Sequence, residues 1–366
     1  MKTIGIVTFF KSYNYGVWLQ AIATQNFLKN AGFNVQIINY TNPEEDKKIR
    51  MAYRENGRII GYVTSFLKSL IFGKVKYYRK GFANHIHDYY SLTEKHYTCI
   101  DEMVNVKYDV LLAGSDQLWN PETTGGKLEK VFLLCFGQAR RKISYATSIG
   151  STPIRKSDEQ IFKEAFKTFD AVSVRETYAS EQLQSLCGVP IKTVLDPTFL
   201  LEKQDWMKLS QKFRMLSVPK CKYILTYFIS EDKRSERYRQ IVNAYSNMLQ
   251  VPVFAIQFSR AKSTPFNRLI LGGSPSDFIA LLNQSMLFIT DSFHGVALSV
   301  NLNKEFVAVE NMSNPQRVRH LLNNIELESR IGLKPEEYYT IDYRLINEKV
   351  KLLREASRDW LLDAIN

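Results

Sequence analysis

The stretch TIGIVTFFKSYNYGVWLQAIATQNFLKNAGFNVQIINY, residues 3–40, decides the fold class. Residues 3–9 form an apolar run rich in strand-forming side chains, and residues 33–40 form another. Between them, residues 16–32 repeat apolar side chains at helical spacing and stop at Gly32, a residue typical of helix ends. Two short apolar strands separated by a helix predict a parallel sheet covered by helices.

The same alternation continues along the chain. Strand-like runs recur at 108–114, 142–148, 170–175 and 191–196, and a second series follows at 222–228, 251–257, 286–291 and 303–310. We therefore predict an α/β protein with an N-terminal domain at 1–200, a C-terminal domain at 207–335 and a helical segment at 336–366 that packs back on the first domain. Two such domains facing each other would place a ligand cleft at the carboxyl ends of their strands.

The composition is that of an ordinary globular protein, because 45% of the 366 residues are hydrophobic and 23% are charged. The four cysteines form no CxxC pair, and the histidines of HIHDYY (85–90) fit no common zinc spacing, so we expect reduced cytoplasmic thiols and no metal site. MKTIGIVTFF at the start is expected to be a strand rather than a signal peptide. No apolar run reaches the roughly 18 residues of a membrane span.

The net charge of +12 is concentrated in one segment. Residues 47–80 contain ten basic residues and one acid, Glu55, and the rest of the chain is close to neutral. This distribution argues against a nucleic-acid-binding protein. Apolar positions at helical spacing in 59–72 predict a basic amphipathic helix within an insertion at about 44–98. Such a helix either lies on an anionic membrane or packs on the domain with a solvated basic edge.

A histidine lies where a strand leads into a helix, in TDSFHGVALSV (290–300). Asp291 and Ser292 are suitable N-cap residues, and backbone N–H groups near Gly295 would face an anion. His294 at this place can donate a hydrogen bond to a phosphate or carboxylate and can move a proton near neutral pH. The alternative is a structural cap with a hydrogen-bonded histidine.

An arginine ends the apolar run DAVSVRE (170–176). A guanidinium binds planar or tetrahedral oxyanions through two parallel hydrogen bonds, so Arg175 is a candidate anion-binding residue at the rim of the cleft. The alternative is a surface arginine paired with Glu176.

Two polar loops follow strands and are candidate sugar-binding segments. LLAGSDQLWNP (111–121) offers polar side chains that can read sugar hydroxyls, and we expect its tryptophan in the core. SYNYGVWLQ (12–20) would let a ligand approach a helix start, although it matches no nucleotide-binding glycine motif. The candidate acceptor-binding residues of these loops are Asn14, Tyr15, Ser115, Gln117 and Asn120, and Asp116 is the candidate base.

Together, several segments resemble the polysaccharide pyruvyl transferase family, and the resemblance runs through nearly the whole chain. Its carriers are YNYGVWLQAIATQNFL (13–28), DVLLAGSDQLWNP (109–121), KISYATSIG (142–150), SVRE (173–176), LDPTFLL (195–201), FITDSFHGVALS (288–299) and SNPQRVRHLL (313–322). The resemblance implies two Rossmann-like domains in the GT-B arrangement. It also implies transfer of the pyruvyl group of phosphoenolpyruvate onto a sugar, as a ketal that bridges two hydroxyls.

The resemblance also implies roles for individual residues. Arg175 matches the donor-binding arginine of the family, and His294 matches the histidine of its second-domain motif, expected here to act as general acid or to hold the phosphate. Other branches carry an arginine two residues before this histidine, where this chain has Ser292. We therefore expect donor contacts from Ser292 and Gly295, and from Arg317 or Arg319.

The resemblance implies no metal and no cofactor beyond the donor substrate. The acceptor would be a surface glycan or its lipid-linked precursor at the cytoplasmic face of the membrane, where the basic helix would make a peripheral contact. Two alternatives stay open, namely a glycosyltransferase that uses a nucleotide sugar on the same fold, and a glycan-binding protein without catalysis.

Overall fold

The computed structural model describes residues 1–12, 14–42, 85–230, 236–257, 268–311 and 315–366. Most of the predicted insertion at about 44–98, including its basic amphipathic helix, lies outside the described residues. The remainder forms two α/β domains, each built on one parallel sheet.

The first domain has a six-stranded parallel sheet in the order β2-β1-β3-β4-β5-β6. Its strands are β1 (Thr3–Val7), β2 (Asn34–Ile37), β3 (Lys107–Ala113), β4 (Gln138–Thr147), β5 (Ala171–Val174) and β6 (Ile191–Thr193). Its helices are α1 (Tyr15–Asn30), α2 (Ile86–Tyr89), α3 (Lys156–Phe166) and α4 (Thr177–Cys187). The inner strands are buried on both faces, which explains why they read as continuous apolar runs.

The second domain has a five-stranded parallel sheet in the order β11-β10-β7-β8-β9. Its strands are β7 (Ile224–Tyr227), β8 (Val253–Gln257), β9 (Arg268–Leu271), β10 (Leu287–Thr290) and β11 (Phe306–Ala308). The helices that follow the first domain are α5 (Lys203–Ser210), α6 (Glu236–Leu249), α7 (Pro275–Gln284), α8 (Phe293–Leu302), α9 (Pro315–Asn324) and α10 (Tyr343–Ile365). The predicted α/β fold with two Rossmann-like domains is confirmed, and β9 is a strand that the sequence did not indicate.

In each sheet the order of the strands changes direction next to a strand whose following loop carries a predicted site residue. In the first sheet, β1 lies between β2 on one side and β3 on the other, and in the second sheet β10 adjoins β7. Loops at such a reversal diverge and leave a crevice at the carboxyl ends of the strands. The loops after β1, β3 and β10 carry Asn14, Asp116 and Ser292, so the topology brings these predicted positions to the edges that face each other.

A shared apolar core joins the two domains. The Tyr15 ring, at the start of α1, stacks on Phe278 of α7 with centroids 4.6 Å apart and meets Tyr227 of β7 edge-on at 5.5 Å. One continuous cluster of buried residues includes side chains of both sheets. Removing these aromatic rings from water stabilises the contact between the two domains, at about 25 cal/mol per Å² of apolar area buried.

The final helix, α10, contacts both domains. The backbone N–H of Leu195 donates to Ser357 Oγ at 2.9 Å, which fixes α10 to the first domain. Arg354 donates from Nε to the Phe199 carbonyl at 2.8 Å and from Nη2 to Asn301 Oδ1 at 2.7 Å, and Asn301 belongs to α8. None of the helices in the described ranges is long and apolar enough to cross a membrane.

Candidate active site

A buried polar cluster lies where the two domains meet. Arg175 follows β5, Asp196 follows β6 and Asp116 follows β3, all at the carboxyl end of the first sheet. His294 is the second residue of α8, in the second domain. These side chains are buried, which is unusual for charged groups and requires that each be paired.

Arg175 is the centre of this cluster. Its side chain is 1% exposed and its guanidinium donates to three carboxylates: Glu176 Oε1 at 3.0 Å, Asp196 Oδ2 at 2.9 Å and Asp116 Oδ1 at 3.2 Å. Burial alone would lower the pKa of Arg175, but the three carboxylates outweigh it and raise that pKa. The alternative of a surface arginine paired only with Glu176 is therefore wrong, although that pair is present.

His294 is held from both sides. Its Nε2 lies 3.4 Å from Asp196 Oδ2 and 3.4 Å from Arg175 Nη1, so the atom donates to the carboxylate or accepts from the guanidinium according to its protonation. On the other side the ring meets α1, because a Cβ placed on Gly16 would be 2.1 Å from His294 Nδ1. The imidazole thus occupies space that only a glycine at position 16 leaves free.

Asp196 anchors this arrangement. One of its oxygens accepts from the backbone N–H and the hydroxyl of Thr198, at 3.0 and 2.8 Å, while the other faces Arg175 and His294. Burial would raise the pKa of Asp196, but His294, Arg175 and the Thr198 N–H outweigh burial and hold the pKa well below its ordinary value. The carboxylate is therefore ionised at neutral pH.

Asp116 sits in a strained backbone position next to Arg175. Its φ is 79°, in the left-handed region that non-glycine residues rarely adopt, and its carbonyl accepts from the Ser148 N–H at 2.9 Å. Burial would raise the pKa of Asp116, whereas Arg175, His294 and Arg317 together lower it. An ionised carboxylate in this place can accept a proton or a hydrogen bond.

Arg317 on α9 comes close to the cluster, and Arg319 does not. Arg317 is 6% exposed, and its guanidinium carbon lies 5.5 Å from the centre of the Phe293 ring, which also faces Arg175 at 4.7 Å. Arg319, two residues further along the helix, is turned away and forms ion pairs with Glu310 at 2.8 Å and Glu328 at 2.5 Å. Of the two arginines predicted for the donor, only Arg317 is part of the site.

Ser292 and Gly295 bond to each other. Ser292 is the N-cap of α8, as its residue type indicated, and its hydroxyl accepts from the Gly295 N–H at 3.3 Å. This hydrogen bond occupies the backbone donor that was predicted to face an anion. The same strand end carries Asp291, which accepts from the backbone N–H groups of Ile229 and Ser230 and so fixes the loop after β7.

The two predicted acceptor residues of the first loop make contacts between the domains. Asn14 caps α1 by accepting from the Gly16 N–H at 2.9 Å, and it also accepts from the Tyr227 hydroxyl at 3.2 Å. The Tyr15 hydroxyl donates to the Gly273 carbonyl at 3.3 Å. Both residues therefore hold the first loop against the second domain.

The acceptor residues predicted in the second loop are largely engaged with the loop itself. The Ser115 hydroxyl donates to the Ala146 carbonyl at 2.6 Å and is fully buried. Asn120 Nδ2 donates to Gln117 Oε1 at 2.8 Å, so these two amides fix the turn. Trp119 is buried, as expected, and its Nε1 donates to the Phe132 carbonyl at 3.0 Å.

A cavity of about 150 Å³ adjoins the cluster between the domains. Its wall includes Arg175, Asp196, Phe293, Lys192, His320 and Ser357, from both domains and from α10. No group of three or more His, Cys, Asp or Glu side chains in the described part of the chain is arranged to hold a metal ion.

Two members of the cluster were not among the predicted site residues, although Glu176 was named as a partner of Arg175 in the alternative interpretation. Glu176 and Asp196 directly follow strands β5 and β6, as Arg175 does, and this shared position was the available signal. Asp196 lies in LDPTFLL (195–201), one of the segments that carry the family resemblance, but no role was predicted for it.

The model of the polysaccharide pyruvyl transferase family matches residues 14–314. The chain belongs to this family. The matched range includes the carboxyl ends of β3, β5, β6 and β10, which lead to Asp116, Arg175, Asp196 and His294.

Among solved structures, a UDP-GlcNAc 2-epimerase from Methanocaldococcus jannaschii is 11% identical with a TM-score of 0.46, over 97% of this chain and 93% of that one. A UDP-GlcNAc 2-epimerase from Neisseria meningitidis, bound to UDP-GlcNAc, is 10% identical with a TM-score of 0.44, over 100% and 94%. A glycosyltransferase from Rickettsia africae is 13% identical with a TM-score of 0.40, over 100% and 94%. Similarity at this level says nothing about activity. No curated protein has significant sequence similarity to the chain.

Proposed function

We propose that the protein transfers the pyruvyl group of phosphoenolpyruvate onto a sugar, as a ketal that bridges two hydroxyls. The observation that carries the proposal is the buried cluster of Arg175, His294 and Asp116 between the domains of a polysaccharide pyruvyl transferase family member. The donor carries a phosphate and a carboxylate, so it needs cationic groups, and the reaction needs one acid and one base.

The proposed chemistry assigns one proton transfer to each titratable group. His294, in its protonated form, adds a proton to the methylene carbon of phosphoenolpyruvate, which makes the neighbouring carbon oxocarbenium-like. A first sugar hydroxyl attacks that carbon and loses its proton to Asp116. The second hydroxyl then attacks, the bond to the phosphate breaks, and the ketal closes. Overall each hydroxyl loses one proton, of which one ends on carbon and one on the released phosphate.

Arg175 and Asp196 have supporting roles in this proposal. Asp196 orients the imidazole, because its Oδ2 lies 3.4 Å from His294 Nε2. Arg175 has more N–H groups than its three carboxylate partners use, so it contacts the carboxylate of the donor without losing its own pairs. No metal or further cofactor is needed for any step.

The first test is a thermal-shift titration with phosphoenolpyruvate and, in parallel, with UDP-sugars, on the wild type and on Arg175→Ala. A ligand that binds only the folded protein raises the melting temperature. We expect a shift with phosphoenolpyruvate that disappears in the variant. A shift with UDP-sugars alone would replace the proposal by a nucleotide-sugar glycosyltransferase. A glycan-binding protein without catalysis would bind a glycan but release no phosphate from phosphoenolpyruvate.

We also propose a peripheral membrane contact at the cytoplasmic face, where a lipid-linked or polymeric glycan acceptor would be available. Its support is the charge of residues 47–80, which lie outside the described residues. The protein should sediment with vesicles that contain anionic lipid at low salt and stay in the supernatant at high salt. A variant with Lys74, Lys76, Arg79 and Lys80 replaced by Glu is the matched control. Equal recovery of both proteins with the vesicles would reject the contact.

A further inference from the structure

Three buried polar atoms without partners lie close together beside the cluster. Arg317 Nε, the Tyr178 hydroxyl and Glu176 Oε2 are each shielded from solvent, and none has a partner at full hydrogen-bonding geometry within the described residues, although Ser151 is a neighbour of the Tyr178 hydroxyl. Arg317 interacts electrostatically with both Glu176 and Tyr178. Buried polar atoms are nearly always paired, so three neighbouring exceptions indicate a site that a ligand completes.

The charges show which kind of ligand fits. Arg175 is surrounded by three carboxylates, which offset its positive charge. Arg317 is 6% exposed and has no carboxylate within ion-pair distance in the described part of the chain, although Asp116 and Glu176 act on its charge from further away. A buried cation without an anion in direct contact is costly, and an anionic ligand in contact with it would reduce that cost.

The tyrosine beside Arg317 is a hydrogen-bond donor, and the glutamate beside it is a donor only in its acid form. Burial raises the pKa of Tyr178 to about 12, so its hydroxyl stays protonated and can donate. Burial also raises the pKa of Glu176, and in its acid form this carboxyl can donate through Oε2. When ionised, Glu176 would instead repel an anion bound between Arg317 and Tyr178.

We propose that Arg317 and Tyr178 form the subsite for the phosphate group of the donor, distinct from the Arg175 contact with its carboxylate. This inference rests on the proposed function. A phosphate monoester carries about −1.5 to −2 charges near pH 7, more than a carboxylate, so it is drawn to the arginine that has no carboxylate in direct contact. Arg317 belongs to α9 of the second domain and Tyr178 to α4 of the first, so the bound phosphate links the domains.

The test measures the binding of inorganic phosphate and of pyruvate, which has the carboxylate alone, to the whole chain by calorimetry. The variants are Arg317→Gln and Tyr178→Phe. Their matched controls are Arg319→Gln, on the exposed side of the same helix, and Tyr339→Phe, an exposed tyrosine. We expect the Kd for phosphate to rise about tenfold or more in Arg317→Gln and a few-fold in Tyr178→Phe, with no change in the controls and none for pyruvate.

A second readout separates this role from a structural one. Without ligand, Arg317→Gln should melt no lower than the wild type because it removes an unpaired buried charge, while phosphate should no longer raise its melting temperature. The proposal is overturned if the wild type binds no phosphate, if Arg317→Gln binds phosphate as the wild type does, or if Arg319→Gln weakens binding equally. Should Arg317→Gln fail to fold, Tyr178→Phe decides, and unchanged phosphate binding in that variant overturns the proposal.

Failure of the subsite and failure of the proposed function give different results. If phosphate binding depends on Arg317 but phosphoenolpyruvate supports no pyruvyl transfer, the subsite stands and the proposed reaction fails. If transfer occurs and Arg317→Gln keeps the wild-type KM for phosphoenolpyruvate, the reaction stands and the subsite fails.

Discussion

Replacing Gly16 with alanine should destabilise the protein and slow its reaction, although alanine is the better helix former. The Cβ of an alanine at position 16 would lie 2.1 Å from His294 Nδ1, whereas ordinary contacts begin at 3.4 Å. The imidazole and α1 must therefore separate by about 1.3 Å, the difference between these two distances. Forced overpacking of this kind costs about 1–3 kcal/mol.

The helix preference acts in the opposite direction but is smaller. Alanine favours a helix interior over glycine by at most ~1 kcal/mol, and Gly16 lies in the first turn of α1, where the gain is less. We therefore expect a net loss of about 1–2 kcal/mol in the free energy of unfolding, the difference of the two effects. Under the proposed mechanism, displacement of His294 by about 1 Å also lowers kcat by about 100-fold.

The assay is a double-mutant cycle on denaturant unfolding, with Gly16→Ala, His294→Ala and the two combined. If the imidazole causes the clash, Gly16→Ala should cost little in the His294→Ala background, which gives a coupling energy of about 1–3 kcal/mol. Release of phosphate from phosphoenolpyruvate reports kcat for the single variant. An equal loss of stability in both backgrounds, or wild-type turnover by Gly16→Ala, would refute the reasoning.

Three further outcomes are expected. His294→Gln should keep the wild-type circular dichroism spectrum and lose turnover, and full phosphate release by this variant would remove His294 from the chemistry. Asp196→Asn should cost about 3 kcal/mol at neutral pH because it leaves Arg175 and His294 short of a counter-charge. Since the pKa of Asp196 is depressed in the folded state, its stabilising effect is present above the unfolded value of about 3.9 and is lost as the pH falls further. The free energies of unfolding of wild type and variant should therefore converge in acid. A constant difference between them in denaturant titrations across pH would contradict this. Arg354→Ala, which removes two hydrogen bonds of α10, should lower the denaturant midpoint by an amount equivalent to about 1–3 kcal/mol, and an unchanged midpoint would show that these bonds are not needed.

The fold was largely predictable because its signals are local. Parallel strands covered on both faces, such as β1 and β3, must be apolar throughout, and the helices between them repeat apolar residues at their own period. Strand β9, RLIL, was missed because a four-residue run gives too little pattern to separate a strand from a loop. The domain limits at 1–200, 207–335 and 336–366 stay a prediction.

The position of the site could be predicted from the sequence, but the hydrogen bonds and ion pairs between its residues could not. Arg175 and His294 stood out because each follows a strand, and strand ends meet at the cleft. That both would share Asp196 depends on how closely the domains approach, which no local pattern records. The split between Arg317 and Arg319 depends on which face of α9 meets Phe293, and both residues look alike in the sequence.

The contacts of α10 limit how the two domains can move. Ser357 is hydrogen-bonded to residue 195 of the first domain. Arg354 is hydrogen-bonded to residue 199, in the segment that connects the domains, and to Asn301 of the second domain. If the domains moved apart on opposite sides of α10, either the Leu195–Ser357 bond or the Arg354–Asn301 bond would have to break. Because α10 lines one side of the cavity, an opening that kept both sets of bonds would have to pivot about this helix. Large glycans would then enter from the edge opposite α10, and the helix would set the amplitude of each opening.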